Sequence, residues 1–237
     1  MQLFYNADIV STAGTFSFSK DESRHIVKVL RKKIGDRFHI TNGKGELFEV
    51  TLLVADPKKC QVNILRTEHT PKPAYRLHMA VAPTKMNERY EWFLEKATEI
   101  GVHEITPIIC QRSERKTIKQ ERYEKVVQAA MKQSLNTYLP KLNSPITLEA
   151  FLQKPFSGNR FIAHCEEGDK WTLHSLSHEK TNTESIVLIG PEGDFAPQEI
   201  KAAMEQGYAP ISLGKSRLRT ETAAIVACTL VQSVFEV

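Results

Sequence analysis

Residues 185–195 read Ser185-Ile186-Val187-Leu188-Ile189-Gly190-Pro191-Glu192-Gly193-Asp194-Phe195. The unbroken apolar run over 185–189 suits a strand buried on both faces, the kind that parallel sheets contain. It runs directly into a turn with two glycines and a proline, and Pro197 then suits the first turn of a helix reaching about residue 206. Sheets of this class bind ligands at the carboxyl ends of their strands. Gly190 and Gly193 let backbone amides and carbonyls approach a ligand closely, and Pro191 stiffens the turn. A tight strand-to-helix turn accounts for these residues as well as a binding loop does. Neither a dinucleotide G-x-G-x-x-G fingerprint nor a G-x-x-x-x-G-K-S/T phosphate loop is present.

A second turn of the same kind follows. A brief strand at 211–213 ends in Leu213-Gly214-Lys215-Ser216-Arg217-Leu218-Arg219-Thr220-Glu221-Thr222-Ala223, which opens a final helix ending near residue 235. Arg219, Thr220, Glu221 and Thr222 crowd the helix start, where free amides favour an anion, although a capping cluster would look the same. The final helix is apolar nearly all round, so its place is a core or a subunit interface. Two glycine turns at strand ends within one small domain favour a binding function.

Working back from these turns, strands at 75–82, 104–109 and 160–164 alternate with helices at about 87–100, with Asn87 as cap, 122–135 and 148–153. Residues 166–183 read as an irregular polar surface loop. Such alternation predicts an α/β domain over 74–237 with a mostly parallel sheet covered on both faces. Thr70-Pro71-Lys72-Pro73 breaks regular structure, so 71–73 reads as a connector. Before it, over 1–70, short alternating strands at 16–18, 37–41, 46–55 and 61–66 surround one helical stretch at 23–31. Asn42-Gly43-Lys44-Gly45 signals a hairpin turn. A small barrel or sheet with one helical insertion is expected there.

With 41% apolar and 25% charged residues among 237, the chain has globular composition. No apolar run nears the roughly 20 residues that span a bilayer, and no charged-then-apolar leader stands at either end, so a cytoplasmic protein is expected. Cys60, Cys110, Cys165 and Cys228 show no paired spacing, which predicts reduced thiols and no metal site. The net charge of +4 says little by itself, but its distribution says more. Residues 111–132 hold seven basic groups against three acidic ones, and Arg24, Lys28, Arg31, Lys32 and Lys33 form a second cluster. Two such concentrations suit a polyanion, and a solvated helix face with pairs such as Glu121–Lys125 suits either one alone.

Residues 188–195 and 213–223 together resemble the methyl-donor loops of the SPOUT methyltransferases, and the closest likeness is to the RsmE family. The resemblance spans the chain. It includes Arg24-His25-Ile26, Val29-Leu30-Arg31 and Gly35-Asp36, then Lys85, Glu91, Lys96, Glu99, Gly101, Pro107, Arg112-Ser113, Gln133-Ser134 and Pro140. The chain departs from the family pattern at three places. An amino-terminal arginine is missing, Leu135-Asn136 stand where an arginine is common, and Asp194 stands where a second glycine is usual.

The resemblance implies an amino-terminal PUA-like β-barrel for RNA and a carboxy-terminal SPOUT domain with a trefoil knot around the site of S-adenosylmethionine (SAM). It further implies a homodimer that methylates N3 of a uridine in 16S ribosomal RNA, with the small ribosomal subunit as partner and with no membrane or metal. The donor-binding residues it points to are Leu188, Ile189, Gly190, Glu192, Gly193, Leu213, Gly214, Leu218, Arg219, Glu221, Thr222 and Ala223. Arg24, Lys28, Arg31, Lys32, Lys85, Arg112 and Arg115 are the expected RNA contacts. Arg112 and Arg219 are candidates to favour the uridine anion. No histidine among His25, His103 and His164 stands out as the proton acceptor. A non-catalytic RNA-binding assembly factor of the same fold is the competing reading. An NTP-using enzyme lacks its phosphate loop here, and a Rossmann-type methyltransferase would need glycines where Val81-Ala82-Pro83-Thr84 stand.

Overall fold

The computed structural model describes residues 2–12, 14–172 and 183–235. They form two compact units, one of residues 1–72 with 131–139, the other of residues 73–130 with 140–237.

The first unit is a five-stranded curled sheet of β1 (Leu3–Tyr5), β2 (Thr15–Ser17), β3 (Arg37–Thr41), β4 (Glu46–Val54) and β5 (Gln61–His69), in the order β1-β3-β4-β5-β2. All pairs are antiparallel except β1 with β3. β1 is three residues long, too short to show a periodicity in sequence. Alternation on β3 and β4 sends Phe38, Ile40, Phe48, Val50 and Leu52 into a core closed by Phe4, Phe18 and Ile26. The helical insertion starts earlier than its apolar spacing suggests, because Ser19 caps α1 (Lys20–Arg24) by accepting the Glu22 amide at 3.3 Å. It then widens into a π turn over His25–Val29, where the Leu30 amide reaches the His25 carbonyl at 3.0 Å. That turn buries Ile26 and leaves Arg24, Lys28 and Arg31 exposed, with Lys32 half-buried over the Phe38 ring.

Residues 131–139 join this unit through the hairpin turn. The Gly45 amide donates to the Thr137 carbonyl at 3.0 Å and the Leu139 amide to the Gly43 carbonyl at 2.9 Å. Gly43 and Gly45 both have positive φ, and a Cβ on Gly45 would strike the Tyr138 ring.

The second unit is a parallel sheet with helices. Its elements are β6 (Arg76–Val81), α2 (Asn87–Ile100), β7 (Glu104–Ile109), α3 (Gln120–Gln133, whose last residues belong to the first unit), β8 (Lys141–Leu142), β9 (Ile146–Thr147) and α4 (Leu148–Leu152). They continue through β10 (Asn159–Ala163), β11 (Trp171–Thr172), β12 (Glu184–Ile189), α5 (Pro197–Glu205), β13 (Ala209–Ser212) and α6 (Thr220–Phe235). Strand order is β11-β13-β10-β12-β6-β7-β8, with β9 also on β7. β12, buried along Ser185–Ile189, lies centrally between β10 and β6. The mostly parallel sheet expected from alternation is therefore present. The two-residue strands β8, β9 and β11 carry no sequence signal of their own. Of the loop expected over 166–183, residues 171–172 form a strand and 173–182 lie outside the described residues.

Two helix ends differ from expectation. Met86, not Asn87, is the N-cap of α2, because the Asn87 side chain is taken by Glu91 and by the Tyr123 hydroxyl, which donates at 3.0 Å. α3 stops at Gln133, since Leu135 adopts φ 59° and the Asn136 amide closes back on the Met131 carbonyl at 3.0 Å. Leucine is an unusual residue in this left-handed capping conformation, where glycine or asparagine is common.

Among the described residues no helix is long and apolar enough to cross a membrane, and no group of three or more His, Cys, Asp or Glu could hold a metal ion. Cys60, Cys110 and Cys228 are buried free thiols, and Cys165 is exposed.

At the amino-terminal ends of the strands Glu104 is buried and accepts from Asn143 at 2.8 Å, Arg76 at 2.5 Å and Lys141 at 3.2 Å. Burial alone would raise its pKa, but Asn143, His78, Lys141 and Arg76 hold it down at about 2. Nearby His78, 2.7 Å from the Thr106 hydroxyl, is pushed down to about 4 by burial. Both shifts have one sign. The unfolded chain takes up His78's proton near its ordinary value of 6.5, so stability is full above that and falls as pH drops towards 4. Glu104 adds a second loss as pH falls from 4.5 towards 2. Urea unfolding should show a loss of up to about 3 kcal/mol across the histidine window, and His78→Gln should flatten that slope. An unchanged slope in the variant would refute the assignment.

Candidate functional site

The carboxyl ends of β10, β12 and β13 lie side by side, and the segments that follow them enclose a pair of adjoining cavities. One, of about 350 Å³, is lined by Ile189, Gly190, Glu192, Leu218, Thr220 and Ala223, among others. The other, of about 670 Å³, reaches Arg112, His164, Gly193, Leu213 and Gly214. Ala163, Cys165, Asp194, Arg217, Leu218 and Ala223 border both.

The turn after β12 is held from several sides. Phe195 is fully buried in the core beside Leu188 and Ile200, which anchors the turn by about 2–3 kcal/mol of apolar burial. The Phe195 ring fills the space beside Gly190, where a Cβ would stand 3.0 Å from a ring carbon and 3.1 Å from the Phe195 amide nitrogen. Asp194 takes φ 61°, the left-handed conformation that explains why glycine is usual there. Its carboxylate offsets the strain by accepting the Phe195 amide and the Cys165 amide, both at 2.8 Å. The second bond ties the segment after β10 to the turn after β12.

The loops after β6 and β7 brace the same turn. Arg112 donates to the carbonyls of Gly193 at 3.0 Å and Phe195 at 3.3 Å, and the Lys85 amide donates to Glu192 Oε1 at 2.8 Å. Arg115 donates to the carbonyls of Thr84 at 2.9 Å and Lys85 at 2.7 Å, while Lys85 Nζ pairs with Glu114 at 2.8 Å. Three expected RNA contacts, Lys85, Arg112 and Arg115, are thus engaged in holding loops. Glu199 fixes the start of α5, accepting the Ala196 amide with one oxygen and the Gln111 amide with the other, both at 2.8 Å.

Of the residues expected to bind the donor, Ile189, Gly190, Glu192, Gly193, Leu213, Gly214, Leu218, Arg219 and Ala223 border the cavities. Leu188 lies in the core beneath. Glu221 and Thr222 face an adjoining shallow depression with Arg89 and Trp92, where Glu221 Oε1 lies 3.7 Å from Arg89 Nε. Arg219 is exposed at the rim. Reading by motif missed His164, Cys165, Asp194 and Arg217. The first two follow β10, and only the strand order places that strand between β12 and β13.

Several buried polar atoms at this end of the sheet have no hydrogen-bond partner among the described residues. They are Glu192 Oε2, Glu221 Oε2 and both ring nitrogens of His164. Groups left bare in this way suit a site that a polar ligand completes.

A family model for an RNA methyltransferase domain matches residues 70–232, and one for an RNA methyltransferase PUA domain matches residues 18–65. Ribosomal RNA small subunit methyltransferase E of Buchnera aphidicola is 30% identical over 241 residues, covering 93% of this chain and 88% of that protein. The chain belongs to the RsmE family. Among RsmE structures, that of Neisseria gonorrhoeae bound to S-adenosyl methionine superposes with a TM-score of 0.89 at 26% identity, covering 99% of this chain and 98% of that one. A crystal structure of a probable rRNA-methyltransferase from Porphyromonas gingivalis gives 0.88 at 38% identity, covering 100% and 99%. The architecture is accordingly that of a SPOUT methyltransferase preceded by a PUA-like barrel.

Proposed function

We propose that the chain is a SAM-dependent methyltransferase of the small-subunit ribosomal RNA, acting on N3 of a uridine in the cytoplasm as a homodimer. The observation that carries this reading is the paired cavity at the ends of β10, β12 and β13, with the buried Oε2 of Glu192 left without a partner among the described residues.

The residues present fit an adenosyl sulfonium ligand. Ile189, Leu218 and Ala223 give apolar walls for a purine, and the turns at Gly190 and Gly214 give backbone groups for its polar edge. Glu192 Oε2 offers a buried carboxylate oxygen whose missing partner a cationic ligand supplies. When bound, SAM supplies a methyl group on positively charged sulfur, an electrophile that needs no metal. The protein's part is to grip, orient and exclude water. Gly190, Glu192, Gly193, Leu213 and Leu218 hold the donor, and Arg112 keeps the turn in shape through the carbonyls it binds. Arg219, exposed at the rim, is the cation placed to favour an anionic uridine.

The exposed basic residues Arg24, Lys28 and Arg31 on the first unit suit phosphate contacts that set affinity, while an unpaired uridine supplies specificity. The half-buried Ile225, Val226 and Leu230 of α6, with exposed Trp92 and Met86, leave an apolar surface of the kind a homodimer covers. The trefoil knot belongs to the same reading, since the three segments around the cavity are the ones such a thread would involve.

The test is mass mapping of 16S RNA from cells with the gene deleted and restored. The expected result is one uridine that loses a methyl group at N3 on deletion and regains it on complementation. An unchanged methylation map, with RNA binding intact, would instead favour a non-catalytic assembly factor.

A further inference from the structure

His164 follows β10 directly and lines the larger cavity, and neither of its ring nitrogens has a partner among the described residues although both are buried. A neutral imidazole carries one donor and one acceptor, and each left buried and unmade costs roughly 1–3 kcal/mol. Such a loss is tolerated where a ligand supplies the missing partners.

The surroundings decide which partner fits. The ring is kept neutral by burial first and then by Lys170, against the weaker opposing pull of Asp194 and Glu166. Arg112, Lys215 and Arg217 border the same cavity. A carboxylate accepts only from the donor nitrogen of a neutral imidazole, and an ammonium satisfies only the acceptor nitrogen. A hydroxyl both donates and accepts, so it answers a neutral imidazole in either tautomer. An adenosyl donor carries hydroxyls only on its ribose. The target nucleotide of an RNA carries a ribose hydroxyl too, and separating donor binding from RNA methylation tells the two sources apart.

Resting on the donor-pocket reading above, we infer that His164 is a ligand-contacting residue whose neutral imidazole hydrogen-bonds the ribose hydroxyls of the adenosyl group. This assigns a selective contact to the segment after β10 and explains why Asp194 tethers that segment through the Cys165 amide.

Calorimetric titration with S-adenosylhomocysteine and its 2′-deoxy and 3′-deoxy analogues tests the inference in the wild type, His164→Phe and His164→Asn. The wild type should lose about tenfold in affinity when the contacted hydroxyl is removed. His164→Phe should bind the parent compound about tenfold more weakly and be indifferent to which analogue is offered. His164→Asn, which keeps polar atoms near one ring nitrogen, should recover part of the loss. Thermal unfolding of each variant separates folding from binding, and the sugar dependence of His164→Asn stands if the phenylalanine variant fails to fold. Wild-type-like affinity, or undiminished sensitivity to deoxygenation, in the substituted proteins overturns the inference alone. Normal ligand binding with lost RNA methylation in His164→Phe also overturns it, by placing the ring against the uridine. A wild type that binds neither SAM nor S-adenosylhomocysteine overturns the donor reading and this inference together.

Discussion

Gly190→Val is expected to lose SAM binding by at least about a hundredfold while the protein still folds. The position is closed on the side a side chain would take. A Cβ there already stands 3.0 Å and 3.1 Å from two carbons of the Phe195 ring and 3.1 Å from the Phe195 amide nitrogen. Valine adds two methyl groups in the same direction. Phe195 is fully buried among Leu188, Ile200 and Ala203, so its ring has no free volume to move into. The turn itself must therefore shift outward, into the cavity that Gly190, Glu192 and Asp194 line. Overpacking of this kind typically costs about 1–3 kcal/mol of stability, which a domain of this size survives. Thermal unfolding should accordingly show a lowered but cooperative transition. Calorimetry should show no measurable heat with SAM at concentrations that saturate the wild type. A variant that melts lower yet binds SAM normally would mean that the turn moves away from the cavity and that Gly190 serves the core alone.

Much of the fold was legible in the sequence because its signals are local, whereas the two glycine turns became a donor site only through the family resemblance that pairs them. The apolar run Ile186–Ile189 reads as a doubly buried strand wherever it stands, and the glycine turns after it and after Leu213 mark the ends where a parallel sheet binds ligands. What stayed hidden depends on which strands are neighbours. His164 ends an ordinary strand in sequence and becomes part of the site only because β10 lies between β12 and β13. Arg112, Arg115 and Lys85 read as free basic groups from composition, yet Arg112 donates to carbonyls of the turn after β12, Arg115 to carbonyls of the loop after β6, and the Lys85 amide to the Glu192 carboxylate. Asp194 reads as a lost glycine. The carboxylate that replaces the glycine's freedom has its second partner 29 residues away, at Cys165, where no local pattern could reveal it. The short strands β8, β9 and β11 are two residues each, below the length at which alternation means anything.

Glu192→Gln should separate recognition of the donor's charge from recognition of its shape. One carboxylate oxygen, Oε1, accepts the Lys85 amide at 2.8 Å and so helps place the turn, a task that a glutamine carbonyl can perform equally. The other, Oε2, is buried in the cavity wall without a partner among the described residues. A desolvated anionic oxygen is costly in the empty pocket and is offset when a cation arrives. SAM carries a sulfonium charge, and the demethylated product, a thioether, does not. The variant should therefore bind SAM about tenfold or more less tightly, while its affinity for S-adenosylhomocysteine changes by less than about threefold. The positive charge is present in the bound donor and diminishes as the methyl group leaves, so the kinetic loss should fall mainly on KM for SAM rather than on kcat. Glu192→Ala, which also removes the Lys85 contact, should weaken both ligands. Equal losses for SAM and S-adenosylhomocysteine in Glu192→Gln would show that the residue acts through the turn it holds and not through its charge.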